Sequence, residues 1–166
     1  MHDVALEQRD PAQLLEEIAR LRAEVLRLEA RVEELDRLAH QDALVPLVNR
    51  RGMLRELEMM IARFERHETP AAVLFVDLDG LKVLNDQFGH MGGDAALMRV
   101  AEKLLQGTRA NDCVARLGGD EFCVLLDHAD EKSALETAER LVDAIACDDC
   151  LFEGAPMPLS VAIGVT

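Results

Sequence analysis

The sequence has no tryptophan, no tyrosine and only five phenylalanines, and it is short of positive charge: 18 Lys and Arg stand against 32 Asp and Glu, a formal charge of −14. That shortage argues against a nucleic-acid duplex as partner, because affinity for a polyanion comes mainly from Lys and Arg neutralising phosphates. An acidic chain can still hold a nucleotide when metal ions mediate the contact. No apolar run approaches the roughly 20 residues of a membrane span. The start, Met1-His2-Asp3-Val4, lacks the basic residues and apolar core of a signal peptide. These absences predict a cytoplasmic protein that meets no membrane. Cysteine is sparse, at 113, 123, 147 and 150, which suits a compartment where thiols stay reduced. Cys147-Asp148-Asp149-Cys150 has the C-x-x-C spacing but lacks the second pair a structural zinc needs, and its two acids are expected to raise the thiol pKa. Ordinary helix-end cysteines are the expectation there, and small core residues at Cys113 and Cys123. With 166 residues and 49% hydrophobic content, the chain supplies one α/β domain plus an extension, not two full domains.

What is present begins with a periodicity. Leu14, Ile18, Leu21, Val25, Leu28, Val32, Leu35 and Ala39 alternate spacings of four and three, with Leu at each d position and Ile18, Val25, Val32 and Ala39 at a. β-Branched a residues with Leu at d favour a parallel two-stranded coiled coil, so a homodimer through residues 14–39 is predicted. The alternative is one amphipathic helix packed on its own domain, but an a/d-only stripe is narrower than globular helices show. Asp10-Pro11 marks the helix start, Pro being tolerated in the first turn. Residues 1–41 thus read as a dimerisation and signalling helix, and 42–166 as the globular domain.

That domain is organised around Ala115-Arg116-Leu117-Gly118-Gly119-Asp120-Glu121-Phe122-Cys123-Val124-Leu125-Leu126, where apolar β-formers flank a Gly-Gly turn followed at once by two acids. The pattern predicts a β-hairpin with carboxylates at its tip, Gly-Gly supplying the positive φ of a tight turn and bare backbone for a ligand to approach. Adjacent acids repel unless a cation joins them. A second acidic stretch ends the apolar run 71–76 in Asp77-Leu78-Asp79, and two such strand ends facing one another would make a Mg²⁺ site. Taken alone, Asp77 and Asp79 would read as solvated strand-end acids.

Coarser signals complete the layout. Leu54, Leu57, Ile61 and Phe64 space as one helix face ending before Thr69-Pro70. The nearly all-apolar stretch 71–77 predicts a strand at a sheet centre covered on both faces. Leu97, Val100, Ala101 and Leu104 mark a helix, then come a strand near 112–116, the hairpin, a helix with Ala134, Ala138, Leu141 and Ile145 inward, and a strand over 159–165. The order α-β-α-β-β-α-β predicts an α/β (α+β) fold: a mostly antiparallel central sheet with flanking helices, preceded by the long helix.

Gly118-Gly119-Asp120-Glu121-Phe122 spells the signature of the GGDEF domains, and the chain resembles that family beyond those five residues. Asp77-Leu78-Asp79, Lys82, Asn85-Asp86, Gly89-His90, Gly93-Asp94, Arg109-x-x-Asp112 and Arg116 follow in the family's order and spacing, from about residue 42 to the end. The family comprises diguanylate cyclases and degenerate relatives that bind nucleotide without turnover, on a sheet like the palm of nucleotidyl cyclases and polymerases. Where it usually has Asp-x-Leu-Thr-Gly-Leu-x-Asn-Arg, this chain keeps Asp42, Leu44, Leu47, Asn49 and Arg50 but carries Val45-Pro46, replacing a Gly turn with a stiffer one.

The resemblance implies condensation of two GTP to cyclic di-GMP with release of pyrophosphate, by a dimer in which two half-sites meet. It implies Mg²⁺ or Mn²⁺ held by Asp77, the carbonyl of Leu78, Asp120 and Glu121. Asp120, Glu121 and Lys82 are the implied catalytic set, Asp120 taking part in deprotonating the attacking hydroxyl and Lys82 facing phosphate. Asn85 and Asp94 are placed to pair with guanine, the carboxylate accepting from an N1–H and N2–H₂ edge that adenine lacks, with His90 near the base. Arg109 and Asp112 fall at the family's inhibitory product site for cyclic di-GMP, although an R-x-x-D pair is also an ordinary surface ion pair. Family members continue into a further helix bearing Lys and Arg over the terminal phosphates. This sequence stops at Thr166 before any such segment, which implies weak triphosphate affinity. The alternative function is a weak or inactive module that binds GTP or cyclic di-GMP as a receptor or scaffold.

Overall fold

The structure is a computed structural model that describes residues 11–148 and 150–166, excepting the side chain of Arg37. Asp10 of the predicted helix start, the N-terminal tetrapeptide and Asp149 of the C-x-x-C stretch lie outside the described residues. The chain divides into two units, residues 1–38 and 39–166. Helix α1, Pro11–His40, has Pro11 as its first residue, where a missing N–H costs nothing. Its heptad stripe is open from Leu14 to Leu35, between 40% exposed at Leu14 and 65% at Val32, and Ala39 is half-buried.

After α1 the chain turns tightly. Asp42 accepts from the N–H groups of Leu44 (2.9 Å) and Val45 (3.0 Å), while its own N–H donates to the Leu47 carbonyl. The Val45-Pro46 turn is closed by Leu47 N–H to Val45 O, and Val45 and Leu47 are both buried in the main core. Strand β1 (Val48–Asn49) leads into α2 (Arg50–His67), whose N-cap is Asn49. The Asn49 side chain accepts from Gly52 N–H and donates to the carbonyls of Ala39 and Gln41, all at 3.0 Å. One amide therefore clips the end of α1 to the start of α2.

Strands β2 (Ala71–Leu78), β3 (Cys113–Gly118), β4 (Glu121–Asp127) and β7 (Val161–Val165) join β1 in a five-stranded sheet of order β1-β3-β4-β2-β7. Only the β1–β3 pair is parallel, so the predicted mostly antiparallel sheet is present. One face carries α3 (Leu81–Gln106) and α4 (Glu131–Ala146) over the main core, with Leu97, Val100, Ala101, Leu104, Ala134, Ala138, Leu141 and Ile145 all inward as expected. The opposite face carries α2 over a smaller cluster of Met53, Met60, Ala115, Cys123 and Leu125.

Several expectations need correcting. Helix α2 buries Gly52, Met53 and Met60, whereas Leu54, Ile61 and Phe64 are each about half exposed; a helix with apolar residues on two sides leaves its seat to packing, not periodicity. Strand β2 is not covered on both faces. Its burial alternates, and Phe75 is 52% exposed because α2 covers only the β3–β4 side and the first residues of β2. Cys113 is half-buried where Cys123 is fully buried. The short β1 and the hairpin of β5 (Leu151–Phe152) and β6 (Ala155–Pro156) have no counterpart in the periodicity, since pieces this short carry no repeat.

Candidate active site

The site lies where β2 ends and the β3–β4 hairpin turns. Register pairs Asp77 with Glu121 directly across the two strands, and Leu78 N–H donates to the Asp120 carbonyl at 3.0 Å. The two acidic stretches are therefore brought together. Alternation along β2 and β4 places Asp77 and Glu121 on the α2 face with Phe75 and Cys123. Like charges directly opposite destabilise a sheet, and among the described residues Asp77, Asp120 and Glu121 have no Lys or Arg ion-pair partner. Carboxylate and carbonyl oxygens are the donors a hard divalent cation takes, so the set fits Mg²⁺ or Mn²⁺ in chemistry. No cluster of three or more Asp, Glu, His or Cys side chains is assembled tightly enough to hold an ion among the described residues.

The hairpin tip is a two-residue loop, Gly119-Asp120, closed by Gly118 opposite Glu121. Gly118 (φ 144°) and Gly119 (φ 54°) both adopt positive φ, the region that favours glycine. Arg116 secures this turn. Its guanidinium donates to the Gly119 carbonyl (2.8 and 3.2 Å) and, from the other nitrogen, to Asp42 Oδ1 at 3.2 Å. Burial pushes the Asp42 carboxyl up, and the Leu44, Val45 and Arg116 donors outweigh it to leave it below its usual value. Arg116 thus links the turn after α1 to the acidic tip, a role no local signal announces because its partner is 74 residues away.

Asp79 is used differently from Asp77: its carboxylate accepts from Ser160 Oγ at 2.8 Å and its N–H donates to the Ser160 carbonyl, which ties β2 to the start of β7. Gly80, in a left-handed conformation (φ 67°), caps α3. Lys82 and His90 are exposed, Asn85 is half-buried and Asp94 is exposed, all on α3. Inside α3, Gly89 has φ 72° and ψ 174°, which breaks the helix in two. Gly93, after the break, lies against the Asn85 amide, so that a Cβ there would overlap it. Asn85 is thereby placed beside the residue preceding Asp94.

Arg109 and Asp112 lie elsewhere. Asp112 accepts from Arg109 N–H (2.8 Å) and Asp127 N–H (3.2 Å), at the end of β4 remote from Glu121. The surface ion pair between their side chains is not formed; the carboxylate closes a turn. At the C-x-x-C stretch, Asp148 is nearly buried and held by Arg99 (2.5 and 2.7 Å) and Lys103 (2.7 Å), which pulls its carboxyl down to about 2. Burial, more than Asp148, raises the Cys150 thiol, and burial likewise lifts Cys113 and Cys123 to about 11.

A mixed sheet with helices on both faces and a glycine hairpin bearing acids against a strand-end Asp is the frame of the nucleotidyl-cyclase palm. Residues 39–166 match the family described as diguanylate cyclase, GGDEF domain, and the chain belongs to that family. It is 44% identical over 113 residues to the bifunctional diguanylate cyclase/cyclic di-GMP phosphodiesterase MucR of Pseudomonas aeruginosa, covering 68% of this chain and 16% of that one. To the diguanylate cyclase TpbB of the same organism it is 35% identical over 159 residues, 93% of this chain and 37% of TpbB. The chain thus spans well under half the length of these relatives. Among solved structures, the coiled coil and GGDEF domain of DgcB from Caulobacter crescentus in complex with c-di-GMP superposes with TM-score 0.84 at 26% identity, covering 92% of this chain and 81% of that one. The GGDEF domain of TpbB gives TM-score 0.72 at 36% identity, covering 76% and 74%. No described helix is long and apolar enough to cross a membrane.

Proposed function

We propose that this chain is a diguanylate cyclase module: residues 42–166 bind GTP with Mg²⁺ or Mn²⁺, and residues 1–41 pair two copies so that two half-sites condense GTP to cyclic di-GMP. The observation that carries the reading is the register setting Asp77 opposite Glu121 with Asp120 at the adjoining tip. Asp77, the Leu78 carbonyl, Asp120 and Glu121 are the residues that would hold the cation, which when bound neutralises phosphate charge and polarises the α-phosphate. Asp120, on the Arg116-braced turn, accepts the proton of the attacking 3′-hydroxyl. Lys82, exposed and unpaired among the described residues, faces the phosphates. Asn85 and Asp94 read the guanine edge, with His90 beside the base. The open heptad stripe supports pairing, since apolar a and d residues left in water favour association. Arg109 and Asp112, remote from the acids, are assigned to a separate product-binding site.

The test is to mix the purified chain with GTP and Mg²⁺ and assay cyclic di-GMP. Its formation, and its loss in Asp120→Ala, is the expected outcome. GTP binding without product would leave the receptor reading in its place.

A further inference from the structure

The break in α3 has a consequence for base selection. In a continuous helix residues eight apart are separated by about 12 Å along the axis. Here a Cβ on Gly93 would overlap Asn85 Oδ1 and lie 2.9 Å from its Cγ and 3.3 Å from its Nδ2. The approach requires the helix to fold back at Gly89, whose φ of 72° with ψ of 174° belongs to a region essentially reserved to glycine. The fold-back is packed from behind: a Cβ on Gly92 would strike Phe88, and Phe88 meets Phe152 edge to face at 6.2 Å. Gly92 and Gly93 are buried, whereas His90 and Asp94 on the same segment are exposed. Among the described residues, the half-buried Asn85 amide makes no hydrogen bond. Steric contact with a bare backbone, not a hydrogen bond, sets its position, and its donors and acceptor remain free for a ligand.

We propose that Gly93, reached through the Gly89 fold-back, is a positioning residue for nucleobase selection: the missing Cβ lets the Asn85 amide seat beside Asp94, so the two present one edge to guanine. This rests on the reading that Asn85 and Asp94 recognise guanine. Any side chain at 93 must displace the amide, and a group moved by even an ångström no longer shares a base edge with Asp94.

The experiment is a double-mutant cycle on the full chain. Affinities for GTP and ATP with Mg²⁺ are measured by calorimetry for the parent, Gly93→Ala, Asn85→Ala and the double variant, alongside melting temperatures. The expected result is that Gly93→Ala lowers the GTP-over-ATP preference by about tenfold or more, the scale of one base-edge hydrogen-bond pair. Asn85→Ala should do the same, and the double variant should be no worse than Asn85→Ala alone, because alanine at 85 removes the group that collides. Should Gly93→Ala fail to fold, the double variant is expected to recover folding; failure to recover would mean the overlap is not with Asn85 and would overturn the proposal. Retained preference in Gly93→Ala with lost preference in Asn85→Ala would overturn the positioning role while leaving the guanine reading intact. Retained preference in Asn85→Ala would remove that reading itself, and the inference with it.

Discussion

At the scale of single residues, the acids of this chain separate into those consumed by the fold and those left over. Asp42, Asp79, Asp112 and Asp148 each accept hydrogen bonds from named partners, whereas Asp77, Asp120 and Glu121 lie on adjoining strand ends with no Lys or Arg ion-pair partner among the described residues. Removing a carboxylate from a hard-cation site takes away a first ligand, so Asp77→Ala and Asp120→Ala should each weaken Mg²⁺-dependent GTP binding by about tenfold or more; calorimetry with and without Mg²⁺ checks this. Asp148 gives the opposite kind of prediction. Its carboxyl, ordinarily near 3.8, is held down to about 2 by the Arg99 hydrogen bonds and then Lys103. A depressed carboxyl adds stability above its unfolded pKa and loses it as pH falls through the folded one. Asp148→Asn should therefore lower stability at neutral pH by about 1–2 kcal/mol. The gap to the parent should close between about pH 4 and pH 2, as thermal melts across that range would record.

Among elements, the turn between α1 and α2 and the β3–β4 hairpin are joined by one side chain. Arg116 bonds Asp42 in the first and Gly119 in the second, and both Arg116 and Asp42 are largely buried. Losing charge-assisted bonds of this kind costs about 1–3 kcal/mol. Arg116→Ala should accordingly lower the melting temperature and speed amide exchange at Asp120 and Glu121 more than in α4. Equal acceleration in both places would argue against a local brace. On α1, Leu28 occupies a d position at 50% exposure. A charge placed in a coiled-coil seam must be desolvated, so Leu28→Lys should shift the mass measured by light scattering from dimer toward monomer at micromolar concentration.

For the whole molecule, a reaction that joins two nucleotides held on separate half-sites is second order in protein wherever dimers dissociate. Specific activity should therefore rise with chain concentration and level off once the helices are paired. On the proposed function, Leu28→Lys should lower the specific activity at micromolar concentration while leaving GTP binding by the single half-site close to the parent value. A concentration-independent rate would argue that one copy suffices.

The amino-acid sequence by itself determined the heptad stripe, the acidic glycine hairpin, the inward faces of α4 and the second half of α3, and the order of the longer elements, though not the short β1, β5 and β6. Each is a local or periodic pattern that chain geometry converts directly into structure. Tertiary structure alone decided which side of α2 is buried, because that helix carries apolar residues on two sides and the sheet beneath selects one. It decided that Asp77, not Asp79, faces Glu121, through a register that no spacing encodes. It also decided the Arg116–Asp42 brace and the seating of Asn85 on Gly93. A glycine in the sequence permits a left-handed φ without saying what the fold-back will bring into contact, and only the packed chain supplies the neighbour.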